Sequence, residues 1–142
     1  MIIVDTSYWL ALANGNDQYH QLVLNQTIKL NDSLITTWPV LTETCHLLLA
    51  RLGVNAQVKF IQQVSQFAEL FVLEDTHLQR CAILMQKYRD LPMDLTDASL
   101  VVLAETLGEG KILSTDQRDF NVYRWKNQHP FQNLLFTNDE EF

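Results

Sequence analysis

Short apolar runs alternate along this chain with longer stretches of helical periodicity, and few folds accept that order. Ile2-Ile3-Val4, Leu34 to Thr37, Leu70 to Leu73 and Lys111 to Ser114 read as buried strands. Between them, Thr6 or Ser7 caps a short helix running to about Ala13, and Asn14-Gly15-Asn16 stops it. Asp17 caps a second helix ending near Asn31. Trp38-Pro39 opens a longer one, with proline in its first turn, the stripe Leu41, Cys45, Leu48, Leu52 and a closing Gly53. Val54, Val58, Ile61, Ser65 and Ala68 share one face of the next. Asp75 or Thr76 caps the helix carrying Leu78, Ala82 and Met85, and Leu95 to Leu107 forms another, closed by Gly108. Leu134-Leu135-Phe136 reads as a last strand, and Asn138 to Phe142 as a frayed tail. Strands alternating with helices imply an α/β fold: a central, mostly parallel sheet covered on both faces, in three α/β/α layers. Residues 1–142 read as a single domain, able to bury roughly 70% of the unfolded surface.

Composition narrows the class. Hydrophobic content of 47% against 19% charged residues excludes a disordered or fibrous chain. No apolar run approaches the ~18–20 residues that span a bilayer. The N-terminus starts on a strand, with no basic region or cleavage site, so a cytoplasmic protein without membrane association is expected. Cys45 and Cys81 fall in helical patterns and read as reduced. A net charge of −7 disfavours a generally sticky nucleic-acid binder, since phosphate contacts drive such affinity. It leaves room for a nucleic-acid enzyme whose bound cations reverse the local potential. No glycine-rich turn follows the first strand, which excludes a Rossmann dehydrogenase.

Four acids stand at meaningful points of this pattern: Asp5, Glu43, Asp97 and Asp116. Asp5 ends the first strand, Asp116 follows the strand run Ile112-Leu113, and Glu43 and Asp97 lie near the starts of apolar helices. In open parallel sheets, ligands bind outside the carboxyl ends of the strands, and a helix that follows a strand begins at that same edge. The topology thus converges four residues spread over the chain. A buried carboxylate costs several kcal/mol unless compensated, and a divalent cation compensates several at once. Each acid also has a plainer reading. Asp5 fits an N-cap, and Asp94 with Asp97 fits a capping box; of that pair Asp94 reads as structural and Asp97 as the ligand. Asp116 reads as a ligand and Asp119 as a turn residue before Phe120. Thr6, Ser7 and Ser114 are placed to orient carboxylates or water, Thr6 also as a cap. Trp38, Tyr123 and Trp125 read as packing residues that could also stack on bases, and Lys111, Arg118, Arg124 and Lys126 as phosphate contacts or scattered surface charge.

The segments that carry these residues resemble PIN-domain ribonucleases, and within them the VapC toxins of toxin–antitoxin pairs. They are Val4-Asp5-Thr6-Ser7, Thr37-Trp38-Pro39-Val40-Leu41-Thr42-Glu43, Leu91-Pro92-Met93-Asp94-Leu95-Thr96-Asp97-Ala98-Ser99-Leu100 and Leu113-Ser114-Thr115-Asp116-Gln117-Arg118-Asp119-Phe120. The likeness spans essentially the whole chain. It implies a PIN fold in which Asp5, Glu43, Asp97 and Asp116 hold Mg²⁺ or Mn²⁺ for hydrolysis of RNA phosphodiester bonds. It also implies a small antitoxin encoded by the adjacent gene, which wraps apolar anchors over the toxin and brings a basic side chain to the acidic site, and a homodimer. Gln117 stands where many relatives have arginine. Rival readings are a PIN-domain RNA-processing nuclease outside toxin–antitoxin systems and a catalytically inactive RNA- or protein-binding module. A haloacid-dehalogenase phosphatase needs a second Asp two residues after the first, where Ser7 stands here.

Overall fold

A computed structural model describes residues 1–136. The chain runs β1 (Ile2–Val4), α1 (Thr6–Ala13), α2 (His20–Ile28), β2 (Leu34–Thr37), α3 (Trp38–Leu52), α4 (Val54–Phe67), β3 (Ala68–Phe71), α5 (Asp75–Lys87), α6 (Leu95–Leu107), β4 (Lys111–Leu113) and α7 (Gln117–Phe120). A hairpin of β5 (Arg124–Trp125) and β6 (His129–Pro130) follows, then β7 (Gln132–Asn133) and a 3-10 turn, Leu134–Phe136.

The main sheet has the order β3-β2-β1-β4-β7, and every pair in it is parallel. Ile3, Val4, Ile112 and Leu113 in its two central strands have no exposed surface, as expected where helices cover both faces. α6 is buried nearly all round, from Ala98 to Ala104, so it is a core helix rather than an amphipathic surface one. The chain leaves β1 toward β2 and β3, then crosses back to lay β4 on the other side of β1. The strand order therefore reverses between β1 and β4. That is the switch point where the loops following two adjacent strands diverge and open a crevice. Among the described residues, no helix is long and apolar enough to cross a membrane.

Several expectations need correction. The third strand is Ala68–Phe71 rather than Leu70 to Leu73, its register set by Leu34 opposite Ala68 and Thr37 opposite Phe71. Ala68 ends α4 instead of extending its face. The last strand is Gln132–Asn133, which pairs with Lys111 and Ile112, while Leu134–Phe136 turns and buries Leu135. Asp17 does not cap α2; its carboxylate accepts from the Tyr19 backbone in the preceding turn. Glu74, not Asp75 or Thr76, is the N-cap of α5. The stripe Val54, Val58, Ile61 on α4 faces solvent, and Phe60 and Val64 turn toward the core instead. The tail from Asn138 to Phe142 lies outside the described residues.

Candidate active site

Asp5 is the first residue past β1, and the strand delivers it to the switch point. It is 5% exposed and caps α1. Its Oδ1 accepts from the Thr6 backbone N–H at 2.7 Å, and its Oδ2 accepts from Ser114 Oγ at 2.7 Å and Ser7 Oγ at 3.3 Å. Ser114 is the corresponding first residue past β4 and is fully buried. Its hydroxyl also accepts from the Asp116 N–H at 3.0 Å, and the Thr115 N–H donates to Ser7 Oγ at 2.9 Å. Two serines thus stitch the loop after β4 to the carboxylate after β1. Behind them Asn133 of β7 receives the Ser114 N–H at 3.4 Å and donates its own amide to the Ser114 carbonyl at 2.7 Å.

Asp97 enters from the first turn of α6. Asp94 is the N-cap of that helix and accepts the Asp97 N–H at 2.9 Å, the structural role read for Asp94 from the sequence. Asp97 is half-buried, and its Oδ2 accepts from the Tyr123 hydroxyl at 2.8 Å. Asp116 caps the short α7, accepting the Asp119 N–H at 3.1 Å. Asp119, buried at 7% exposure, also accepts from Arg118 Nε at 3.0 Å. Carboxylate oxygens of Asp97, Asp116 and Asp119 lie within 4.8 Å of one another. Asp119, read from the sequence as a turn residue, is therefore part of the acidic group. Glu43, half-buried in α3, accepts from Thr96 Oγ1 at 3.2 Å. Thr37 and Ser99 share a hydrogen bond at 2.8 Å and tie the start of α3 to α6. Asp5 and Glu43 stand outside the three-acid group but act on it through charge: Glu43 raises the proton affinity of Asp5, and Asp5 that of Asp97.

The electrostatics follow from this crowding. Burial pushes the Asp5 carboxyl up to about 6, against the stabilising hydrogen bonds from Ser114 and Thr6. Burial first, then the charges of Asp5 and Asp94, push Asp97 to about 8. Asp116 is also raised, mainly by burial. Among the described residues no lysine or arginine forms an ion pair with Asp5, Asp97 or Asp116; Arg118 pairs with Asp119 and is 78% exposed. The Thr6 hydroxyl is buried without a hydrogen-bond partner. Hard oxygen donors, uncompensated negative charge and an orphaned hydroxyl beside Asp5 fit a divalent cation of the Mg²⁺ or Mn²⁺ kind.

Of the basic residues near Asp116 in sequence, two are placed away from the acids or turned to the backbone. Arg124 Nη1 donates to the carbonyls of Asn121, Val122 and Tyr123, so it braces backbone. Lys111 opens β4 and lies at the strand's far end from Asp116. Trp125 packs its indole on Gly110 and donates Nε1 to the Pro130 carbonyl at 3.2 Å. Trp38, the first residue of α3, is 51% exposed. Tyr123 reads from the sequence as a packing residue, and its ring is fully buried; its hydrogen bond to Asp97 has no sequence signal, because 26 positions separate the two.

Known proteins share this fold and family. The profile of the PIN domain matches residues 2–126. The chain is 29% identical over 124 residues to ribonuclease VapC26 of Mycobacterium tuberculosis, covering 87% of this chain and 92% of that protein. Its fold superposes with a TM-score of 0.77 on the crystal structure of Mycobacterium tuberculosis VapC20, described as a sarcin-ricin loop cleaving toxin. That match covers 83% of this chain and 92% of the other at 22% identity. With a matched span from the first strand to the first strand of the hairpin, this chain belongs to the PIN-domain family.

Proposed function

We propose that this chain is a VapC-like endoribonuclease toxin, dependent on Mg²⁺ or Mn²⁺ and neutralised by a small antitoxin encoded by the adjacent gene. It acts in the cytoplasm as a single domain over residues 1–142, and as a homodimer. The observation that carries the reading is the meeting of Asp97, Asp116 and Asp119 within 4.8 Å, beside the buried Asp5, at the β1/β4 switch point of a PIN fold.

In this reading Asp5, Asp97 and Asp116 hold the cation, with Glu43 at the edge and Asp119 completing the ring. A cation so bound supplies an activated water and neutralisation of phosphate charge. The protein's part is positioning. Ser114 and Ser7 hold Asp5 Oδ2 while the Thr6 N–H holds Oδ1, so the carboxylate is fixed before substrate arrives. Ser114 carries the Asp116 backbone on the same hydroxyl, so the two acids move as one body. Without a cation, Asp97 holds its proton more tightly than Asp5, at about 8 against about 6, because the charges of Asp5 and Asp94 add to its burial. Purified protein incubated with total RNA should cleave it in millimolar Mg²⁺ or Mn²⁺ and stop on chelation by EDTA. Cleavage that persists in EDTA overturns the cation dependence, and no cleavage under any cation overturns the nuclease.

The partner reading rests on surface chemistry. Leu49 and Leu52 of α3 and Val54, Val58 and Ile61 of α4 are exposed apolar residues on packed neighbouring helices. A cavity of about 210 Å³ between α1 and α4 is lined by Trp9, Leu12, Phe60, Val64 and Phe67. An amphipathic antitoxin segment fits such a groove, and a basic side chain of it would compete with the cation for the acids. Raising Mg²⁺ should then weaken inhibition beyond a matched ionic-strength control. Inhibition indifferent to Mg²⁺ removes the competition.

A further inference from the structure

We infer that Tyr123 is a positioning residue for the acidic site, holding Asp97 by its hydroxyl and Asp119 by its backbone. The inference rests on the cation site proposed above. The Tyr123 hydroxyl donates to Asp97 Oδ2 at 2.8 Å, and the Tyr123 N–H donates to the Asp119 carbonyl at 3.0 Å. One residue thus ties together two of the three acids whose oxygens converge, although they come from α6 and α7.

The side chain that does this is itself immobilised. Its ring has no exposed surface and meets Tyr88 edge-on at 5.0 Å and Phe120 edge-on at 5.2 Å. The Tyr88 hydroxyl receives the N–H of the next residue, Arg124, at 3.0 Å. The Arg124 guanidinium then closes over the carbonyls of residues 121 to 123. Downstream, the hairpin is pinned to α6: Glu105 accepts the Lys126 N–H at 2.6 Å while holding Arg80 by two bonds of 2.9 and 2.8 Å. A rigid donor aimed at a half-buried carboxylate does two things. It anchors Oδ2, and it fixes the carboxylate plane. Both lower the cost of ordering a ligand when the cation binds.

A residue that only filled the core would keep its role without the hydroxyl. Tyr123→Phe separates the two, because it keeps the ring and its two edge contacts and removes one oxygen. Manganese binding is measured by electron paramagnetic resonance of free Mn²⁺, with the melting temperature as a check on fold. The expected result is a folded Y123F variant whose Mn²⁺ affinity falls by about tenfold or more, with no further fall when Y123F is added to Asp97→Asn. Equal affinity in wild type and a folded Y123F overturns the positioning role and leaves the cation site standing. Absence of Mn²⁺ binding by the wild type overturns both. Should Y123F not fold, 3-fluorotyrosine at this position keeps ring and hydroxyl, and its ¹⁹F resonance should move on titration with Mg²⁺; an unmoved resonance under conditions where Mg²⁺ binds overturns the inference.

Discussion

Asp97→Asn should remove RNA cleavage, by about a hundredfold or more, while leaving the fold intact and the cation-free protein more stable at neutral and alkaline pH. The amide keeps the shape of the side chain and can still accept from Tyr123, but it forfeits the charge that attracts a cation. The stability gain has a definite pH course. Folding raises the Asp97 carboxyl from its ordinary value of 3.8 to about 8, so the folded chain holds that proton more tightly than the unfolded one. The resulting stabilisation is fully present below the unfolded value and is lost as pH rises through the folded one. Asparagine escapes that loss. The variant's melting temperature in EDTA should match wild type near pH 4 and exceed it by about 3 °C or more near pH 8. Cleavage near the wild-type rate would remove Asp97 from the catalytic set, and a melting difference independent of pH would remove repulsion as the reason. Asp94→Asn is the control: it should do little, since asparagine caps a helix about as well as aspartate.

Divalent cations should flatten that pH course. A cation that binds the assembled acids, but not the unfolded chain, stabilises by about 2.7 kcal/mol at a hundredfold excess over its dissociation constant. Binding must displace the protons held by Asp97, at about 8, and Asp5, at about 6. Apparent affinity therefore climbs with pH through that window and flattens above it. Metal-free protein loses stability over the range in which cation-loaded protein, its protons already displaced, holds its own, so the thermal shift produced by Mg²⁺ or Mn²⁺ should widen up to about pH 8 and level off above it. Glu43→Gln should blunt the shift. The Thr96 hydroxyl that now donates to Glu43 can donate equally to the amide oxygen, so a changed shift reports the lost charge rather than a lost hydrogen bond. An unchanged shift in the variant would count against Glu43 as a ligand and leave it as a partner of Thr96 alone.

The helices α3 and α6 were legible because they carry their own punctuation. Thr37, Pro39 and Gly53 bound α3 by capping and by backbone preference, and Asp94 and Gly108 bound α6. Strand limits were less so. Glu69 and Phe71 lie within β3 because β2 offers Leu34 to Thr37 as its ladder, and a four-residue apolar stretch contains nothing that sets such a register. The α4 stripe misled for a related reason: periodicity shows that a helix is amphipathic, not which side its neighbours cover. The hairpin β5/β6 has two residues per strand and a turn through Lys126 and Asn127 at positive φ, too short for any periodic signal.

The sequence by itself determined that strands and helices alternate, that the sheet would be parallel, and that acids would stand at the ends of β1 and β4. Each of those follows from local patterning and from the rule that a strand's carboxyl end and the next helix's start share an edge. Only the tertiary structure decided which acids come within reach of one another. Asp119 joins Asp97 and Asp116 because α7 turns its carboxylate inward, and Tyr123 reaches Asp97 because the chain folds back over α6 after α7. Hydrogen bonds act over about 3 Å, and residues as far apart as Ser114 and Asp5 are brought into that range only when the core has packed.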